Sequence, residues 1–318
     1  MLFDVFNGDA DGLCALQQFR LATPALATLV TGVKRDISLL KRVQASAGDE
    51  VAVFDISLDK NREALQRLLE RGVKVRYFDH HFAGEIPEHD NMESYINVAA
   101  ETCTSLIVDR YLKGRFCAWA VVGAFGDNLD TSARQAAVDL KLSEAQLATL
   151  RELGICLNYN GYGAALDDLF FTPQQLAERM RPHLSPFDFM AAEPELFATL
   201  QNGAEQDTAR ARAVAPAVAS DNVAVFLFPA EPWARRVSGV FSNELATAHP
   251  NRAHALLTAL PQGGFVASVR APLNNKQGAD ELCRAFATGG GRKAAAGINE
   301  LPESQYTTFV NAFQTMYG

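Results

Sequence analysis

The first 80 residues alternate between two hydrophobic periodicities, and that alternation restricts the architecture more than any other feature of the chain. LFDVF (2–6), ATLVTG (27–32), EVAVFDI (50–56) and KVRYFDH (74–80) are apolar runs of strand length. Between them GLCALQQFRLA (12–22), DISLLKRVQA (36–45) and NREALQRLLERG (61–72) carry apolar residues at helical spacing. Strands alternating with helices predict an α/β fold, with a parallel sheet covered by helices on both faces.

From 101 to 190 the pattern turns helical, over 102–112, 117–127, 132–142, 143–154 and 172–180. Ser143 is a good N-cap, and Thr172–Pro173 opens the last of these helices. A polar-faced helix over 194–215 reads as an inter-domain strut. Strands over 222–229, 254–260 and 264–272, with helices over 237–249 and 279–287, follow it. The expected organisation is a first domain at 1–190, a helical linker at 191–215 and a smaller α/β domain at 216–318, which suits a chain of 318 residues.

Hydrophobic residues make up 48% and charged residues 21%, which excludes a disordered or fibrous chain. The formal net charge of −8 argues against a general nucleic-acid coat, because non-specific binding draws on a basic surface. The five cysteines form no CxxC pair and read as small buried hydrophobes in a reducing compartment. No basic-then-apolar leader and no run of ~18 apolar residues occurs, so the expectation is a cytoplasmic protein that does not enter the membrane.

The chemistry gathers where predicted strands end. Asp9 and Asp11 in NGDADG follow strand 2–6, Asp55 follows 50–54, and Asp79, His80 and His81 follow 74–78. Asp127, in FGDN, ends an apolar helical run. Ligands of open parallel sheets bind beyond the carboxyl ends of the strands. One such acid is ordinarily a turn or a helix cap. Several around one crevice repel one another and call for a cation, and carboxylates with imidazole suit Mn²⁺ or Mg²⁺.

The set DAD (9–11), FD (54–55), DHH (79–81) and GD (126–127) resembles, in order and spacing, the four motifs of the DHH phosphoesterase family. SVR (268–270) followed by GGGRKAAAG (289–297) is similar to the signature of the DHHA1 substrate-binding domain, as in RecJ-like exonucleases and nano-RNases that dephosphorylate pAp. The resemblance implies two divalent ions, Mn²⁺ before Mg²⁺. Asp9 would hold one, Asp11, His80 and Asp127 the other, and Asp55 would bridge them. It further implies that Asp79 orients His80 or lies just behind the metal-bound groups, that His81 faces the scissile phosphate as a donor or acid, and that Arg270, Gly289, Gly290, Gly291, Arg292 and Lys293 bind substrate.

Two departures stand out. Val5 occupies the place of a usual metal-binding His, leaving Asp4, Asn7 or the substrate to complete the first site; Arg292 replaces a glycine-motif His. The Lys34–Arg35 pair reads first as a solvated face.

The activity implied is hydrolysis of phosphodiester or terminal phosphate bonds in short oligonucleotides or pAp-like nucleotides by metal-activated water. Alternatives are an exopolyphosphatase-like hydrolase and a nucleotide-binding sensor weakened by Val5. Nucleotide is the partner expected, and a homodimer is compatible with the reading.

Overall fold

The computed structural model describes Met1–Gly318 and divides into two units, Met1–Asn202 and Gly203–Gly318. The first opens with β1 (Leu2–Phe6), α1 (Ala10–Ala22), β2 (Thr28–Thr31), β3 (Glu50–Phe54), α2 (Leu58–Glu70), β4 (Lys74–Asp79) and β5 (Met92–Ile96). Then come α3 (Thr104–Tyr111), α4 (Cys117–Gly126), α5 (Asp130–Ala136), α6 (Glu144–Asn160), α7 (Pro173–Met180), α8 (Pro186–Ala192) and α9 (Pro194–Ala213), within which the division falls.

The five strands pair in the order β2-β1-β3-β4-β5, every pair parallel. Both faces are buried, and the two-residue strand period sorts side chains between them. Phe6, Phe54 and Phe78 share one register line and enter the core made with α1, α3, α4 and α6. Val5, Val53 and Tyr77, one residue earlier, enter the opposite core under α2. Helices therefore cover both faces, as the alternating pattern predicts.

α1 lies deep because small residues let its neighbours approach. A Cβ on Gly126 would sit 2.3 Å from the Ala10 Cβ and 2.8 Å from the Gly154 carbonyl oxygen. This close crossing of α1, α4 and α6 sets the height at which Asp127, the residue after α4, reaches the sheet edge.

The second unit contains β6 (Val218–Ala219), β7 (Val223–Phe228), α10 (Pro232–Ala248), β8 (Ala253–Ala259), β9 (Phe265–Arg270), α11 (Ala279–Arg284), β10 (Gly289–Arg292), β11 (Ala295–Leu301) and α12 (Tyr306–Tyr317). Its mixed sheet runs β10-β11-β9-β8-β7-β6, with only β7 and β8 parallel.

Two local expectations fail for identifiable reasons. The helix expected over 36–45 is a single 3-10 turn at Leu39–Arg42. There the Asn61 side chain accepts from the Leu40 N–H and donates to the Ile37 carbonyl, so a side chain replaces helix bonds. The helix expected over 132–142 breaks at Lys141, which adopts a left-handed φ of 52°. The glycine run 289–291 lies in β10, which pairs with β11. No helix is long and apolar enough to cross a membrane, and all five cysteines are buried, with no disulfide among them.

Candidate metal centre

β1 and β3 run side by side, with β2 on the far side of β1, so the strand order reverses beside β1 and opens a crevice at the carboxyl edge. Asp9 N-caps α1 just beyond β1; its Oδ1 accepts from the Gly12 N–H at 3.1 Å. Asp11, in the first turn of α1, is 1% exposed, and its two oxygens accept from the Thr104 and Ser105 N–H groups at 2.7 Å each. The N-terminus of α3 thus orients Asp11 from across the site. Asp55 follows β3 with φ of 60°, a strained conformation for a non-glycine residue, and its Oδ1 accepts from the Thr104 hydroxyl at 3.1 Å.

His80 stands at the meeting point. Its Nδ1 lies 3.0 Å from the Thr102 carbonyl, so Nδ1 carries the proton and Nε2 is directed at the acids. Nε2 is 3.4 Å from Asp55 Oδ1, 3.8 Å from Asp127 Oδ2 and 4.0 Å from Asp11 Oδ2. Two donor groups, Asp11–His80–Asp127 and Asp55–His80–His81, each keep their ligand atoms within 4.8 Å of one another.

The electrostatics are those of a crowded anionic pocket. Burial, then the neighbouring charges of Asp9 and Asp11, push the Asp55 carboxyl well above the usual range. Burial followed by Asp11 and Asp9 raises Asp127 to about 6. Burial works against a charged His80, but the hydrogen bond to Asp55 and the charge of Asp11 win, raising it to about 10. Protons here do what a cation would do, and oxygen donors with one imidazole fit a hard divalent ion.

Several expected roles change. Asp79 binds His81, not His80: its Oδ1 lies 2.7 Å from His81 Nδ1, because the His80 ring turns its own Nδ1 to Thr102. Asp4 is unavailable as a ligand, being buried in a bidentate pair with Arg20. Val5 is fully buried in the apolar core.

Lys34 does not lie on a solvated face. Its Nζ is 2.7 Å from Asp9 Oδ2 and 2.7 Å from Asn158 Oδ1, and it stands 5.7 Å from the centroid of the Tyr162 ring. Burial opposes its charge, but Asp9 outweighs that and holds the ammonium firmly protonated. Likewise burial would raise Asp9, but Lys34 brings it below the usual carboxylate range. Lys34, Asn158, Thr104 and Ser105 come from separate stretches, so no local motif marks them.

The other expected binding residues belong to the second unit. Arg270 ends β9, donating from Nε to Asn243 and from Nη1 to the Ser268 hydroxyl and the Val269 carbonyl. Burial lowers its pKa and the charge of nearby Arg292 adds to the effect. Both arginines pair in register with Ala295, which explains their proximity. Arg292 and Lys293 are exposed. Gly291 alone of the three glycines has positive φ, 141°, and a Cβ there would meet Ala296 at 2.5 Å.

No protein-family profile and no curated protein sequence matches the chain. Among solved structures, manganese-bound exonuclease RecJ superposes with a TM-score of 0.68 at 16% identity, covering 99% of this chain and 89% of that one. The fold is that of RecJ. RecJ from Thermus thermophilus, also in complex with Mn²⁺, gives a TM-score of 0.65 at 18% identity, and 51% of its length is covered. The pGpG-specific phosphodiesterase PggH from Vibrio cholerae gives 0.56 at 12% identity, with 99% of this chain and 98% of that one covered. The RecJ fold thus extends over both units, and the resemblance of the motifs to DHH phosphoesterases agrees with it.

Proposed function

We propose that the chain is a divalent-metal-dependent phosphoesterase that hydrolyses phosphodiester or terminal phosphate bonds of short oligonucleotides or pAp-like nucleotides. The observation that carries this reading is the convergence of Asp11, Asp55, His80 and Asp127 from four separate elements on one crevice. The Mn²⁺-bound RecJ structures and the full-length likeness to PggH support the same reading.

Asp11, Asp55, His80 and Asp127 would hold the ion, Mn²⁺ before Mg²⁺. When bound, such an ion lowers the pKa of water and offsets charge on phosphate oxygens. The protein's own contribution is orientation. The N-terminus of α3 fixes Asp11, Thr104 fixes Asp55, and the Thr102 carbonyl fixes the His80 tautomer. Asp79 holds His81 through Nδ1, leaving Nε2 free to exchange a proton with the leaving or attacking oxygen. Arg270 and Arg292, held beside Ala295, are suited to a substrate phosphate or carboxylate as a guanidinium pair.

The test is a panel of pGpG, di- to pentanucleotides, pAp and polyphosphate, incubated with chelator-treated protein before and after Mn²⁺ is restored. Mn²⁺-dependent release of nucleotide or phosphate from the nucleotide substrates, lost in Asp55→Asn, is expected. Turnover of polyphosphate alone would reject the nucleotide assignment. No turnover of any substrate would reject the enzyme.

A further inference from the structure

The resemblance of the DAD motif to that of DHH phosphoesterases raises the expectation of a second ion on Asp9, and the residues around Asp9 do not fit one. The imidazole position is Val5, closed into the core between β1 and α2. Asp4 is bound to Arg20. Asn7 donates its amide to the Lys34 carbonyl, leaving only the neutral Oδ1 as a candidate donor. Asp9 itself has both oxygens engaged, one by the Gly12 N–H and the other by the Lys34 ammonium.

The lysine is built into this position and does not simply swing there. Its N–H donates to the Gly161 carbonyl at 2.8 Å, and its carbonyl accepts from Asn7 at 3.2 Å. The loop before it presses on the β1–α1 turn so closely that a Cβ on Gly8 would lie 2.1 Å from the Gly32 carbonyl oxygen. Asn158 supplies a second acceptor for the ammonium from α6, and the Tyr162 ring stands beside it.

We propose that the Lys34 ammonium takes the place of one metal ion, so that the centre holds a single divalent cation on Asp11, Asp55, His80 and Asp127, while Asp9 serves Lys34. The inference deepens the phosphoesterase reading and rests on it. Four carboxylates at the centre carry four negative charges; Lys34 offsets one and one divalent ion two, so the cage stays anionic by one unit before substrate arrives. A second dication on Asp9 would share a buried carboxylate with an ammonium, and like charges in such a pocket oppose one another. The lysine also presents a fixed positive charge, beside the ion, to a phosphate oxygen.

Metal stoichiometry tests this without reference to turnover. Chelator-stripped full-length protein is titrated with Mn²⁺ and analysed by equilibrium dialysis and by electron paramagnetic resonance. The expected result is one tightly bound Mn²⁺ per chain with an uncoupled six-line spectrum. Two tightly bound ions with an exchange-coupled spectrum would overturn the lysine proposal and leave the phosphoesterase reading intact. No bound ion would overturn both. In the converse experiment, Val5→His with Lys34→Met restores the imidazole and frees Asp9. The double variant should take up a second Mn²⁺ at least about tenfold more tightly than the wild type does, with a coupled signal. A correctly folded double variant, judged by circular dichroism, that still binds one ion would also overturn the proposal.

Discussion

Asp127 ends α4 within reach of His80 at 3.8 Å, and burial and the charges of Asp11 and Asp9 hold its carboxyl near 6 rather than 3.8. Between those two pH values the folded chain keeps a proton that the unfolded chain has lost. Stability therefore falls as pH rises through that window, and the whole penalty is present above pH 6. At about 1.4 kcal/mol per pH unit the penalty is at most ~3 kcal/mol. Replacing Asp127 with Asn removes the ionisable group while keeping its shape. In EDTA at pH 8 the variant should unfold at higher urea than the wild type, by up to ~3 kcal/mol, and the advantage should shrink toward zero as the pH is lowered to 4. Saturating Mn²⁺ should invert the order. A ligand at a hundred times its Kd adds ~2.7 kcal/mol to the protein that binds it, and the Asn variant has lost one of its anionic donors. Urea titrations monitored by circular dichroism, with and without Mn²⁺, measure both effects. If Asp127→Asn destabilises the chelated protein at pH 8, Asp127 is not under repulsion and the account of the cage as a strained anionic cluster is wrong.

Three further outcomes follow from the same geometry. His81→Ala should lower kcat by about 10²–10⁴-fold while changing Mn²⁺ affinity less than about tenfold, because Asp79 holds His81 Nδ1 while Asp11, Asp55, His80 and Asp127 remain to hold the ion; a larger loss of metal affinity than of kcat would contradict that role. Asp4→Ala leaves the Arg20 guanidinium buried without its carboxylate and should cost about 3–5 kcal/mol in urea unfolding, much of it recovered when Arg20 is also replaced by Met. In the second unit His254 is buried in β8, and burial, then the charges of His249 and Arg252, lower it to about 4. Its folded value lies below the ordinary one near 6.5, so stability should fall as pH drops from about 6.5 to about 4; a His254→Leu variant should show a flatter profile over that range, and an unchanged slope would refute the assignment.

The parallel sheet was legible because its strands are buried on both faces and separated by amphipathic helices, so both periods survive in the sequence. β5 was not, since MESYI is a half-exposed edge strand whose residues carry little apolar signal. The donors Asp11, Asp55, His80 and Asp127 were legible because each follows a recognisable strand or helix end. The partners that orient them were not, because Thr102, Thr104 and Asn158 reach the site only through the packing of α3 and α6.

What the sequence determined by itself was the α/β alternation and the position of the acids at element ends, both properties of local order; the resemblance of its motifs to DHH phosphoesterases added that Val5 stands where an imidazole is usual. Only the tertiary structure decided what stands beside Asp9. Lys34 follows a short strand and looks like any solvated basic residue until β2 pairs beside β1 and α6 closes over the crevice. Those contacts, made across the fold from Asp9 and Asn158, turn a surface charge into a half-buried counter-ion for Asp9. A charge's role depends on what surrounds it in space, and spacing along the chain does not encode those surroundings.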